Sequence, residues 1–146
     1  MEDAQAALGP IITRIDHVGI AVPDLDAAIE FYGRAFGVPM VHEEVNEEQG
    51  VREAMLAVGD GYLQLLAPLT PESTIGKFLD KRGPGIQQVA FGVLDVGEAA
   101  ERLRAAGVRV LYPEAKRGTA GSLVNFAHPA DCGGVLVELV QSGTDH

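Results

Sequence analysis

A short pattern of polar residues set within apolar strands occurs once in each half of this chain, and it narrows the possible folds to a duplicated unit. Ile15-Asp16-His17-Val18-Gly19-Ile20-Ala21-Val22 corresponds to Ile86-Gln87-Gln88-Val89-Ala90-Phe91-Gly92-Val93, and Leu63-Gln64-Leu65-Leu66 corresponds to Val137-Glu138-Leu139-Val140. His17 and Gln88 lie 71 residues apart, and Gln64 and Glu138 lie 74 apart. The same 71-residue step carries Asp24 to Asp95, and each aspartate stands where a helix N-cap is expected. Behind each cap runs an apolar stripe: Leu25, Ile29, Tyr32 and Phe36 stopping at Gly37, then Val96, Ala100, Leu103 and Ala106 stopping at Gly107. Motif, cap, stripe and stop recur together, as two copies of one supersecondary unit would have them.

The periodicity predicts a strand over Arg14 to Val22, a helix from Asp24, and strands over Met40 to Val45, Val51 to Val58 and Tyr62 to Ala67, the last two joined by the hairpin signal Gly59-Asp60-Gly61. The second half repeats the order with strands over Ile86 to Val93, Val108 to Tyr112, Leu123 to Ala127 and Val135 to Gln141. The expected fold class is α+β, with two tandem βαβββ modules forming a curled eight-stranded mixed sheet around a metal-binding cleft. Residues 1–12 read as a disordered leader, 13–68 as the first module, 69–84 as a linker with a short helix near Pro71 to Lys81, 85–141 as the second module and 142–146 as a tail.

Bulk properties limit the partners. With 11 basic against 21 acidic side chains the formal charge is −10, which disfavours a sequence-independent grip on nucleic acid and attachment to an acidic membrane surface. No apolar run approaches the ~18 residues of a membrane span, and the chain is expected in the cytoplasm. The single cysteine, Cys132, lies in the Gly-rich turn Pro129 to Gly134 and reads as structural rather than nucleophilic.

The chemistry is expected at the repeat positions. Strand alternation puts His17 on a face with Ile15 and Gly19, and Gln88 on a face with Ile86 and Ala90, so small residues leave room beside each polar one. His17, Gln64, Gln88 and Glu138 are the candidate ligands of a divalent ion, and Glu138, flanked by Val137 and Leu139, most needs a cation or partner. His42 and His128 have no repeat partner and read as strand-end or turn residues, and His146 as part of the tail. Glu48 sits in the acidic loop Glu47-Glu48-Gln49-Gly50. The matching connection in the other half, Lys116-Arg117-Gly118-Thr119-Ala120-Gly121-Ser122, offers cations and backbone N–H groups for an anion.

Over Ile15 to Gln141 the chain resembles the vicinal oxygen chelate superfamily and, within it, the methylmalonyl-CoA epimerases. The resemblance rests on Asp16-His17-Val18, Asn46-Glu47-Glu48-Gln49-Gly50-Val51, Ala67-Pro68-Leu69, Glu72-Ser73-Thr74, Gly118-Thr119, Asn125-Phe126 with His128-Pro129, and Gly134 to Leu139. It implies a homodimer that interconverts (2R)- and (2S)-methylmalonyl-CoA, an acyl-CoA substrate. The implied metal is Co2+, with Mn2+, Ni2+ or Zn2+ as substitutes, held by His17, Gln64, Gln88 and Glu138. Glu48 and Glu138 are the implied acid and base, and Lys116 with Gly118, Thr119, Ala120, Gly121 and Ser122 the implied grip on substrate anions. The chain departs from the family in carrying Gln87-Gln88 where His-His is usual, which weakens the expected affinity for late first-row metals. Rival readings are a glyoxalase I-like or dioxygenase-like enzyme of the same fold, and a metal-free module that binds a small hydrophobic ligand.

Overall fold

The computed structural model describes residues 11–143. The expected leader, apart from its last two residues, and the tail residues 144–146 with His146 fall outside the described residues. The elements follow the order β1 (Ile12–Ala21), α1 (Leu25–Phe36), β2 (Met40–Asn46), β3 (Val51–Val58), β4 (Gly61–Pro68), α2 (Thr74–Arg82), β5 (Gly85–Val93), α3 (Val96–Ala105), β6 (Lys116–Arg117), β7 (Leu123–Ala127) and β8 (Val137–Gln141). This is the βαβββ order twice, with α2 between the copies. Hydrogen bonding arranges the eight strands as β2-β3-β4-β1-β5-β8-β7-β6, and the pairing is mixed, β1 with β4 being parallel and β3 with β4 antiparallel.

The chain divides into two compact units, residues 16–89 and residues 90–143 with 11–15. In the first, Asp24 caps α1 by accepting from the Ala27 N–H at 3.0 Å, and Ser73 caps α2 by accepting from the Gly76 N–H at 3.0 Å. Each such cap is worth about 1 kcal/mol. At the other end of α1, Gly37 adopts the left-handed φ of 67° that stops the helix. Leu25, with Ile29 and Tyr32, packs on Val22, Ala54, Leu56, Leu65 and Ala67. Phe36 leaves the expected buried stripe: it is 66% exposed, and its ring stacks on Tyr32 at 5.6 Å instead of entering the core. A second cluster, Ala21, Val51, Leu66 and Ile75 with Phe78 and Leu79 of α2, forms on residues of the opposite strand parity. Helix α1 therefore covers one face of these strands, and α2 covers part of the other.

In the second unit Asp95 caps α3 at Glu98, and Val93, Val96, Ala99 and Leu139 form the core with Leu103. The expected strand over Val108 to Tyr112 is replaced. Only an isolated bridge, Val110 to Ala127, forms there, and the strand at this place in the order is the two-residue β6 at Lys116–Arg117. The cause is Asn125 of β7, 1% exposed, whose Oδ1 accepts from the Tyr112 N–H and whose Nδ2 donates to the Tyr112 carbonyl, both at 3.1 Å. A side chain has taken the bonds that a ladder would have used, and Pro113 follows directly. Likewise β8 begins at Val137 rather than Val135, because the Gly134 and Val135 N–H groups bond back to Pro129 and Cys132 in the turn.

That turn is held by an exposed ion pair in which Arg109 Nε donates to Asp131 Oδ2 at 3.0 Å and Nη2 to Oδ1 at 3.2 Å. Hydrogen bonding from the Arg109 side chain, then from its backbone N–H, holds the Asp131 carboxyl down at about 2. A depressed folded value contributes stability that is present above the unfolded carboxylate range, near pH ~4, and is lost as pH falls through 2. A carbon-13 titration of the side-chain carboxyls is expected to place Asp131 near 2 in the native chain, and Arg109→Ala is expected to return it toward 3.8.

Candidate active site

The residues 16–89 contain a row of buried polar side chains across one face of their strands. On β1 the parallel register sets His17 beside Tyr62, Gly19 beside Gln64 and Ala21 beside Leu66. On β3 Met55 opposes Gln64 and Glu53 opposes Leu66, so Glu53 and Gln64 share this face as diagonal neighbours. Gln88 comes from β5, the neighbour of β1 on its other side. His17, Gln64, Gln88 and Glu53 are each 7% exposed or less.

Hydrogen bonds join them in one direction. Gln64 Nε2 donates to Glu53 Oε2 at 3.2 Å, which leaves Gln64 Oε1 as the acceptor. Gln88 Nε2 donates to that Oε1 at 3.2 Å and lies 3.4 Å from His17 Nε2. Behind the imidazole, Asp16 Oδ2 accepts from His17 Nδ1 at 2.8 Å. A carboxylate on Nδ1 keeps the proton there, so the lone pair of His17 rests on Nε2 and faces the amides. Buried amides and carboxylates need such partners, since an unpaired one costs ~1–3 kcal/mol.

Gly19 makes the row possible. Gln64 and Gln88 sit on strands two positions apart, a separation of ~9–10 Å, and their side chains meet only over β1. A Cβ on Gly19 would stand 2.6 Å from Gln88 Cγ.

The cradle fits a cation. His17 Nε2 and Gln64 Oε1 are both acceptors aimed at one point, now taken by the Gln88 NH2 group, and rotation of the Gln88 amide would present its Oε1 there as a third. One imidazole nitrogen with amide oxygens is a donor set for a hard or borderline divalent ion rather than a soft one. Among the described residues no group of three or more His, Cys, Asp or Glu gathers at a metal-binding distance.

Sequence reasoning overlooked Glu53 and the orienting role of Asp16. Glu53 carried a signal: it shares strand parity with Val51 and Met55, so a carboxylate was set into an otherwise apolar face. Glu48 is exposed in the β2–β3 turn, where the Asn46 side chain accepts from the Gln49 N–H. His42 lies within β2 rather than at its end, with Nε2 2.5 Å from Glu44 Oε1. His128 holds its expected turn position, accepting from the Ala130 N–H.

In the second unit Glu138 is 6% exposed on β8 opposite Phe126. Lys116 is exposed, with Nζ 4.3 Å from the centre of the Tyr112 ring. Gly118 N–H donates to Ser122 O and Ser122 N–H to Thr119 O, closing the loop on itself, while Ala120 holds a left-handed φ of 55°. That conformation costs a non-glycine residue ~1 kcal/mol or more.

Residues 14–139 match the family model described as the Glyoxalase/Bleomycin resistance protein/Dioxygenase superfamily, and the chain belongs to that superfamily. Within it the chain is similar to several methylmalonyl-CoA epimerases and, at lower identity, to lactoylglutathione lyases. The crystal structure of the Mycobacterium tuberculosis methylmalonyl-CoA epimerase is 56% identical with a TM-score of 0.89, over 91% of this chain and 90% of that one. A methylmalonyl-CoA epimerase in complex with methylmalonyl-CoA and NH4+ is 53% identical with a TM-score of 0.88, over 91% and 96%. The mitochondrial methylmalonyl-CoA epimerase of Bos taurus is 39% identical over 137 residues, 92% of this chain and 78% of the bovine protein. No helix among the described residues is long and apolar enough to cross a membrane.

The packing of Gln88 over Gly19 predicts a coupled pair. Gly19→Ala is expected to destabilise the chain by ~1–3 kcal/mol in urea unfolding, and Gly19→Ala in a Gln88→Ala background by much less. Equal costs in both backgrounds would show that the close approach is relieved elsewhere.

Proposed function

We propose that this chain is an isomerase that interconverts (2R)- and (2S)-methylmalonyl-CoA by taking the α-proton from one face and returning one to the other. The reading is carried by Glu53, a carboxylate 3% exposed at the end of a directional row of amides that terminates on His17. It is further supported by the similarity to an epimerase solved with methylmalonyl-CoA bound.

An α-proton next to a thioester is acidic enough for a carboxylate once the developing oxyanion is stabilised. Glu53 is assigned the proton transfer on one face. It is buried and held by Gln64, whereas Glu48, which the family resemblance put forward for this role, is exposed in a turn. Glu138 is assigned the other face on its repeat position and its burial in β8. When Glu53 takes the proton, the C–H pair becomes the enolate π bond. Glu138 then supplies a proton to the opposite face of that carbon, the thioester carbonyl re-forms, and the configuration inverts.

The ligands proposed for the divalent ion are His17, Gln64, Gln88 and Glu138, with Co2+ the first candidate. Bound there, such an ion supplies Lewis acidity to the thioester oxygen. Asp16 keeps His17 Nε2 unprotonated, and Glu53 aims the Gln64 oxygen. Lys116 and the Gly118 to Ser122 loop are proposed to hold the anionic groups of the acyl-CoA, the exposed ammonium offsetting the −10 charge locally.

Two measurements test this. In deuterated water, proton NMR of (2R)-methylmalonyl-CoA with the protein is expected to show loss of the α-proton signal. Glu53→Gln is expected to slow conversion by ~100-fold or more, while Glu48→Gln stays within about threefold of the native chain. The reverse ranking returns the role to Glu48. Calorimetric titration with Co2+ is expected to show tighter binding to Gln88→His, by ~10-fold or more, because imidazole replaces an amide that must first give up its bonds to Gln64 and His17. An unchanged affinity would remove Gln88 from the ligand set.

A further inference from the structure

The face of the second unit that carries Glu138 also carries a cation seated on an aromatic ring. Across the β7–β8 ladder Phe126 is the direct partner of Glu138, and across the β6–β7 ladder Lys116 is the direct partner of Val124. Directly opposed residues project to one face, and Val124 and Phe126 share strand parity, so Lys116, Phe126 and Glu138 project together. Arg117, the next residue, pairs with Leu123 and projects from the other face. Lys116 and Glu138 are separated by two strand spacings and two residues along the ladder, ~12 Å between their backbones, a span one extended substrate covers.

An exposed lysine ordinarily samples many rotamers, and a ligand that engages it must supply the cost of ordering them. Lys116 is exposed, yet its Nζ stands 4.3 Å from the centre of the Tyr112 ring, whose π face attracts a cation at that distance. The Tyr112 ring in turn meets Phe126 edge to face, with centres 5.9 Å apart and planes at 89°. Its backbone is fixed as well. Asn125 bonds both the N–H and the carbonyl of Tyr112, and Arg104 Nη2 donates to the same carbonyl at 2.9 Å. The bonds that displace a strand at this place therefore hold a ring in position against the ammonium.

We propose that Tyr112 is a positioning residue for the substrate, its ring holding the Lys116 ammonium on the Glu138 face to meet an anionic group of the acyl-CoA. The inference rests on the epimerase reading and deepens it. Lys116 reads an oxygen anion, a chemistry that the substrate offers both in the free carboxylate on its α-carbon and in the phosphates of CoA. Tyr112 gives no group to the reaction. It orders the cation before substrate arrives, so its contribution falls on binding and not on the chemical step.

The test compares KM and kcat for conversion of methylmalonyl-CoA. Tyr112→Leu is expected to raise KM by ~3–10-fold with kcat within about twofold of the native chain, whereas Tyr112→Phe keeps the ring and is expected to keep KM within about twofold. In a Lys116→Met background Tyr112→Leu is expected to change KM by less than about twofold, because the ring then has no charge to hold. A merely structural ring would raise KM by the same factor in both backgrounds. That outcome, or a native KM in Tyr112→Leu, overturns the positioning role while leaving the epimerase reading intact. Calorimetric binding of propionyl-CoA, which has hydrogen in place of the carboxylate, assigns the anion. Equal binding by the native and Tyr112→Leu chains places the carboxylate on Lys116, and a weakening that matches the rise in KM places a phosphate there. Thermal melts confirm that the variants fold, as expected where Asn125 and Arg104 hold position 112 by its backbone. Absence of conversion by the native chain overturns both readings.

Discussion

Everything at this site depends on the burial of the Glu53 carboxyl. A carboxylate 3% exposed in a sheet is tolerated only if neighbouring donors compensate the lost water, and Gln64 does so by turning its NH2 toward Glu53. That one orientation decides the next: the Gln64 oxygen must face Gln88, and the Gln88 amide must face His17. At the far end Asp16 imposes the complementary constraint on the imidazole. Two buried carboxylates, one at each end, therefore set the polarity of every group between them, before any ligand arrives. Such advance ordering removes the cost of reorganising dipoles when charge develops on a substrate.

The strands separate stability from chemistry by parity. On β1, β3 and β4 one set of alternate side chains meets α1 in the core of Val22, Leu25, Ala54, Leu56 and Leu65, while the other set carries the polar row and, beside it, the α2 cluster around Ile75. Residues of the row can thus change without opening the α1 core. In turn the core holds the strands rigidly enough to fix distances among the amides.

Much of this was legible in the sequence. The repeat located β1, β5 and the two aspartate-capped helices, because Asp24 and Asp95 announce their helices by chemistry confined to a few residues. His17, Gln64 and Gln88 stood out as polar interruptions of apolar strands, and they lie together on one face. Glu53 escaped because it follows Arg52 on a strand whose partner β2 carries Glu43 and Glu44, so local composition looked like a solvated hairpin. Only the register separates it from its exposed neighbours. The strand over Val108 to Tyr112 was beyond local reading for a different reason. Its β-branched and aromatic residues do favour extension, but the bonds at Tyr112 go to Asn125, thirteen residues away, and no window of sequence contains that competition. Phe36 shows a third limit, since helical spacing gives the side of a helix but not where the core beneath it ends.

The Asn125 bonds have a consequence for how the molecule behaves among copies of itself. The outer side of β7 is met by two short pieces of chain, β6 at Leu123 and Val124 and a single bridge at Ala127, with a side chain filling the place between them. An incoming strand needs a continuous run of free N–H and C=O groups to extend a sheet, and this side of β7 presents none of that length. The Asn125 bonds thus leave this end of the sheet with a two-residue outer strand instead of a long, regularly paired one.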